Sequence, residues 1–226
     1  MFDKPYLVAG LLLGLAGATV SVAIASHFAL FVLPLAWTGE PERLVEALGV
    51  QPGDRVADLG AGDGSHAVAV ARLLGTRGEV LATELDPSRR LAIADTAARA
   101  HAANVRVVEA AADATNLPDH CCRAIYMRTM LHHVTDRGAF ARDVVRSVEA
   151  GGRIAVIDFA PGHLWFHGGD HGVAPEAVVA AFSEAGCTLR QRDDHWGGPT
   201  FLLVFECEGV DSRSARRARN REERGR

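Results

Sequence analysis

Residues 55–71 read RVADLGAGDGSHAVAVA, with three glycines and two aspartates set between two apolar runs. The order is strand, turn, helix, and the turn holds more glycine than a connector needs. Glycine adopts positive φ at no steric cost and lets another molecule approach the backbone. A short apolar strand feeding a helix through such a turn is the nucleotide-binding unit of a doubly wound sheet. That unit demands a parallel sheet around it.

The rest of the chain supplies one. Residues 40–208 alternate strand and helix signals, the pattern of an α/β domain with a mainly parallel sheet. Strands are expected at 55–59, 79–84, 105–109, 124–128, 153–159, 188–193 and 200–206. Helices fit 41–48, 65–74, 88–103, 136–149 and 175–185. Pro87 and Ser88 open one helix, and Gly151-Gly152 close another ahead of the IAVIDF strand. The last two strands are separated by too little chain for a crossover helix, so they pair as an antiparallel hairpin.

Both flanks differ from this body. From Pro5 to Trp37 there is no Asp, Glu, Lys or Arg, and His27 is the only strongly polar interruption. A helix crosses a membrane with about 20 apolar residues, so residues 1–38 read as an anchor, with Tyr6 and Trp37 at the interfaces. The rival is a secretory signal peptide, with Lys4 before the apolar run and Ala23-Ile24-Ala25 as a cleavage site. The run continues through Phe28, Leu30, Phe31, Val32 and Leu33, which favours the uncleaved anchor. Residues 209–226 hold seven arginines with no apolar run and read as a disordered tail. The domains expected are therefore 1–38, 39–208 and 209–226. The formal net charge of −4 gives no overall attraction to nucleic acid, and no nucleic-acid partner is expected. The four cysteines show no metal-ligand spacing, and a disulfide framework is not expected in a chain able to build a core.

What the glycine turn holds follows from its spacing. The dinucleotide fingerprint is G-x-G-x-x-G. Gly60, Gly62 and Gly64 are spaced G-x-G-x-G instead, and Asp58 sits inside the end of the strand. A carboxylate there repels a pyrophosphate and suits a cationic ligand. VADLGAGDGS resembles the first motif of the class I S-adenosylmethionine-dependent methyltransferases. EVLATELD, EAAADATNLP, AIYMRTMLHHV and AGGRIAVIDF follow in the order of that family's later motifs. The resemblance implies a seven-stranded, Rossmann-like methyltransferase sheet ending in an antiparallel hairpin, and S-adenosylmethionine as cofactor. It implies that Gly60 and Gly62 run beneath the methionine part and Asp58 meets the ammonium. Glu84 would accept both ribose hydroxyls, Leu85 lie against the adenine, and Asp113 bond the adenine amino group. Gly64 serves helix packing as readily as the ligand, and Asp86 caps the helix beginning near Pro87. The chain departs from the pattern at Arg123 and at Arg128-Thr129, where similar enzymes carry acids. The pocket beside the methyl group is expected to be less acidic than usual.

Methyl transfer from a sulfonium needs alignment of donor and acceptor and exclusion of water; a base is needed only where the acceptor loses a proton. Ligands of this fold lie at the carboxyl ends of the strands. That places His132 and His133 at the site, together with the loop DFAPGHLWFHGGDHGV. His133, His171 and Asp158 are the candidate catalytic residues. His133 with His167 and His171 could form a base or a metal cluster; solvated loop histidines are the commoner case, and no metal site is expected. Phe159, Trp165 and Phe166 would form an apolar lid. An anchored enzyme with such a lid suggests a small, lipophilic acceptor, with the catalytic domain on the cytoplasmic face where the cofactor is made. Export by a signal peptide is the alternative placement. The alternative function is a non-catalytic module on the same scaffold, binding a ligand or partner at the membrane. The sequence sets no oligomeric state.

Overall fold

The computed structural model describes residues 39–112, 114–162 and 172–208. The chain divides into two units, Met1–Glu40 and Pro41–Arg226, and the second holds the fold described here. The expected anchor (1–38), Asp113, the loop histidines 163, 167 and 171 and the arginine-rich tail lie outside the described residues. Among those described, no helix is long and apolar enough to cross a membrane.

The chain runs α1 (Glu40–Leu48), β1 (Arg55–Leu59), α2 (Ser65–Leu74), β2 (Glu79–Glu84), α3 (Pro87–Arg99) and β3 (Val105–Glu109). It continues with β4 (Cys122–Arg128), a 3-10 turn (Leu131–His133), α4 (Arg137–Ser147), β5 (Val148–Phe159), α5 (Pro175–Glu184), β6 (Cys187–Gly197) and β7 (Thr200–Cys207). The strands form one sheet in the order β3-β2-β1-β4-β5-β7-β6. The first five are parallel to one another, and β7 pairs antiparallel with both β5 and β6.

The pleat decides which side chains meet which helices, because successive residues of a strand face opposite sides. On one side Ile125, Met127, Ile154, Val156, Leu203 and Phe205 bury against Phe140 and Val144 of α4 and Phe182 of α5. On the other side Val56, Val80, Tyr126, Ile157 and Leu202 bury against Leu44, Val70, Leu74 and Ile93 of the first three helices. A sheet covered on both faces needs strands apolar on both, and β1, β2 and β4 are buried almost throughout. The edge strands β3 and β6 are mostly exposed or half-buried. Arg43 stacks on the Trp196 ring, 3.8 Å from its centroid, which fixes α1 over the end of β6.

Three local expectations change. The helix after β2 ends at Arg99 rather than 103. His101 turns left-handed (φ 54°), and the Asn104 amide donates to Ala71 O and Gly75 O at 2.9 and 3.1 Å, drawing the chain toward the end of α2. Gly151 and Gly152 do not close a helix; α4 ends at Ser147 and the glycines form an irregularity within β5. A Cβ on Gly152 would lie 2.7 Å from Arg123 O, so the glycine permits the close approach of β5 to β4. Lastly, Cys187 and Cys207 form a disulfide, against the expectation of none. They are register partners of β6 and β7, and both are buried. Sequence spacing conceals this, because only hairpin register sets the two side by side.

That bond closes a loop of 20 residues at the edge of the sheet. Replacing both cysteines by alanine is expected to lower unfolding free energy by about 3 kcal/mol, measured by denaturant titration, through the added freedom of the unfolded chain.

Candidate active site

Between β1 and β4 the order of the sheet reverses: β2 and β3 extend one way, β4 and β5 the other. In such sheets the crevice beyond the carboxyl ends at this reversal is where ligands sit. The glycine turn occupies it. Gly60, Gly62 and Gly64 have φ of 70°, 61° and 80°, values that side-chain-bearing residues seldom adopt. Each glycine has its own reason. A Cβ on Gly60 would press on Met130 at 3.1 Å, so the loop after β4 packs directly on the turn. A Cβ on Gly64 would meet Ile93 Cα at 3.0 Å, which makes Gly64 the contact between α2 and α3. A Cβ on Gly62 would meet nothing within 4 Å among the described residues. Its backbone is open to a ligand.

The turn is tied to β2. Gly60 N and Ala61 N both donate to Thr83 O at 3.0 Å. Glu84 Oε2 accepts from Gly62 N at 3.1 Å, and Oε1 accepts from Leu85 N at 2.9 Å and Asp86 N at 3.2 Å. A carboxylate has about four lone-pair sites, so these three donors leave room for about one more. Two ribose hydroxyls, as expected from the sequence, exceed that room unless Gly62 N–H gives way. Leu85 follows with 54% of its surface exposed. Asp86 caps α3, its Oδ1 accepting from Ser88 N at 2.7 Å.

Asp58 lies two residues before the glycine turn, near the carboxyl end of β1. It is 2% exposed, and the Tyr126 hydroxyl donates to its Oδ2 at 2.8 Å. The two residues are register partners on β1 and β4. Burial pushes the Asp58 carboxyl up to about 7, while the Tyr126 hydrogen bond and the Arg128 guanidinium pull it down and Glu84 adds a smaller upward push. His66, in the first turn of α2, stands 3.3 Å from the Tyr126 hydroxyl through Nδ1. Burial, then Arg128, holds this imidazole down at about 4, so it is neutral at pH 7. With Tyr126 donating to ionised Asp58, His66 Nδ1 carries the proton and points it at the phenol oxygen. His66 Nε2 is then a buried acceptor without a partner among the described residues.

At the carboxyl ends of β4 and β5 the backbone is strained. Thr129 has φ 51°, unusual for a β-branched residue, and is held there by its N–H donating to Ile157 O at 2.7 Å. Beyond it, Asp158 is fully buried and accepts three hydrogen bonds. Its Oδ1 meets His132 Nδ1 at 2.6 Å and Phe159 N at 2.8 Å, and its Oδ2 meets His132 N at 3.0 Å. The His133 ring lies 4.0 Å from that of His132.

The structure thus brings Asp58, Gly60, Gly62, Glu84 and Leu85 to one crevice, with Asp158 one strand away; Asp113 and His171 lie outside the described residues. It pairs Asp158 with His132, not His133. Sequence reasoning missed His66 and Tyr126. Aligning β1 with β4 would have found Tyr126, since the residue opposite a buried carboxylate must satisfy it. These residues fit a ligand that combines a cation with ribose: open backbone at Gly62, a buried carboxylate, and one free acceptor site on Glu84.

Residues 56–152 match the family described as a methyltransferase domain. The ubiquinone/menaquinone biosynthesis C-methyltransferase UbiE of Serratia proteamaculans is 31% identical over 117 residues, 51% of this chain and 47% of that protein. UbiE of Azotobacter vinelandii is 33% identical over the same length, 51% of this chain and 46% of its own. The chain therefore spans about half the length of the curated relatives it matches. Among solved structures, a SAM-dependent methyltransferase from Aquifex aeolicus superposes with TM-score 0.64 at 20% identity, covering 77% of this chain and 96% of that one. A geranyl diphosphate C-methyltransferase from Streptomyces coelicolor A3(2) superposes at 0.62 and 15% identity, covering 75% and 78%. At such identities the structural likeness speaks for the fold.

The state of Asp58 sets an expected pH dependence. Its proton is held up to about 7, so a cation beside it binds best when that proton has left. Calorimetric affinity for S-adenosylmethionine should rise as pH goes from 6 to 8 and flatten above. In Tyr126→Phe, which loses a bond that lowers the carboxyl, the rise should move to higher pH. A flat profile in the wild type would contradict the placement of the cation at Asp58.

Proposed function

Because residues 56–152 are a methyltransferase domain of the class I S-adenosylmethionine-dependent kind, we propose that this chain methylates a small, lipophilic acceptor. One observation carries the reading: at the reversal point of the sheet, the open turn at Gly62 is bonded to the buried carboxylate of Glu84 and follows the strand that carries buried Asp58. When bound, S-adenosylmethionine supplies a methyl carbon already activated by a positive sulfur. The chain therefore has to hold, align and exclude water. Glu84 accepts a ribose hydroxyl at its remaining lone-pair site, and exposed Leu85 offers apolar surface to the adenine. Asp58 faces the ammonium, and the backbone at Gly60 and Gly62 lies beneath the methionine part. Asp113, outside the described residues, is assigned to the adenine amino group.

The lipophilic acceptor rests on two supports. The run from Pro5 to Trp37 is free of charge. Relatives are named for quinone biosynthesis, and one structural neighbour for geranyl diphosphate. The test of the cofactor is calorimetric titration of the detergent-solubilised full chain. S-adenosylmethionine should bind and NAD should not. Glu84→Ala should weaken binding by ~1.5 kcal/mol or more, about tenfold, as for a lost charged hydrogen bond.

Residues 1–38 are assigned to a membrane anchor, with the domain on the cytoplasmic face that supplies the cofactor. The buried Cys187–Cys207 bond favours a second placement, export into an oxidising compartment. A carboxyl-terminal fusion decides: fluorescence of a cytoplasm-folding reporter supports the first, alkaline phosphatase activity the second. The intact mass then shows whether the chain has been cut after Ala25.

A further inference from the structure

We propose that Cys121 and Cys122 form a two-thiolate site for a soft monovalent cation of the copper(I) kind, apart from the methyl-transfer crevice. The pair stands at the amino-terminal end of β4, where Cys122 is the first residue of the strand and Arg128 the last. At ~3.3 Å per residue, that places it about 20 Å from the carboxyl end of the strand. Cys187 and Cys207 are joined, so Cys121 and Cys122 are the free thiols of the chain.

Adjacent residues of an extended strand send their side chains to opposite faces. Here both cysteines join one face. Cys122 is fully buried in the cluster that includes Phe140 and Val144 of α4, and half-buried Cys121 packs against the same cluster. The turn before the strand makes this possible. His120 is left-handed (φ 50°), its N–H donates to Arg146 O at 3.0 Å, and its ring Nδ1 lies 3.3 Å from Val148 O. Pairing with β5 begins only at Cys122, opposite Val148, and is irregular before Ala124. The thiols meet as a result, and the Cys122 S–H hydrogen-bonds to the Cys121 sulfur.

Two sulfurs that share a proton can share a cation in its place. The Cys122 hydrogen bond holds the Cys121 thiol below its usual range; burial opposes this, and Arg55 and Arg146 add to it. Cys122 is pushed up by the same hydrogen bond and by burial, so its proton leaves when a metal takes the sulfur. Thiolates select soft ions. A structural zinc ion takes four ligands, and among the described residues no group of three or more His, Cys, Asp or Glu is placed to hold a metal ion. Two thiolates suit a cation of low coordination number, and copper(I) is such an ion. On binding, both S–H protons leave to solvent, two copper–sulfur bonds form and the copper stays monovalent. Space-filling does not explain the pair. Cys122 alone occupies the core position, while Cys121 remains partly exposed and opens the pair to an ion from solvent.

The test uses the detergent-solubilised full chain under nitrogen, with ascorbate to keep copper monovalent and the Cys187–Cys207 bond intact. Copper(I) is offered in competition with bathocuproine disulfonate. Wild type should hold one copper(I) per chain, and X-ray absorption should show two sulfur neighbours. Cys121→Ala and Cys122→Ala should each weaken binding beyond the ~10–100-fold that loss of a mere supporting group costs. Replacing Cys187 and Cys207 together by alanine should leave binding in place, and equimolar zinc(II) should not displace the copper. Far-ultraviolet circular dichroism checks the fold of each variant. Should Cys122→Ala unfold, the half-buried Cys121→Ala carries the test alone. The outcome is independent of whether S-adenosylmethionine binds. Any one of four results overturns the site: no copper retained against the chelator, wild-type affinity in folded Cys121→Ala, fewer than two sulfur neighbours, or displacement by zinc(II).

Discussion

The hydrogen bond between Tyr126 and Asp58 joins β1 to β4 where the sheet changes direction. A carboxylate with 2% exposure cannot stay ionised unless something donates to it. Tyr126 can donate only if the β1–β4 register sets the two residues opposite each other. That register also brings Met130 onto Gly60 and sets the first turn of α2 beside the Tyr126 ring. Shift the pairing by one residue and the carboxylate faces the wrong side of the sheet, with no donor in reach. The crevice, its charge and the covering loop all hang on one strand pairing.

The sheet was largely legible in the residues because parallel strands announce themselves as short, continuous apolar runs. RVADL, EVLATE and VRVVE became β1, β2 and β3 over the ranges expected. Strand ends were less legible where glycine was read as a stop. The pair 151–152 punctuates a helix in most sequences, yet here it lets β5 pass close to Arg123. The disulfide was invisible for a different reason. Cys187 and Cys207 are distant in sequence, and only the shifts of register within the β6–β7 hairpin bring them level.

The site divides along similar lines. Motif spacing located the glycines, Asp58 and Glu84, since their function depends on where a turn falls in the chain. It singled out His133 and not His132, because neighbours in a 3-10 turn point in different directions and only the fold says which meets Asp158. Nor could it show that Glu84 spends most of its lone pairs on backbone, which narrows what the carboxylate can offer a ligand. Local sequence marks the residues. Their remaining capacity is a property of packing.

The place of β7 has a consequence for how the chain is made. Among the described residues β7 is the last strand in sequence, yet it lies inside the sheet, between β5 and β6. β6 leaves the ribosome first, before the strand it pairs with among the described residues has been synthesised. Until then the open edge of β5, carrying Ile154 and Val156, and the apolar face that β7 will cover stay available to other chains. Completion of the sheet waits on its penultimate piece arriving last, so the nascent chain passes through a stage in which it depends on a chaperone or on speed.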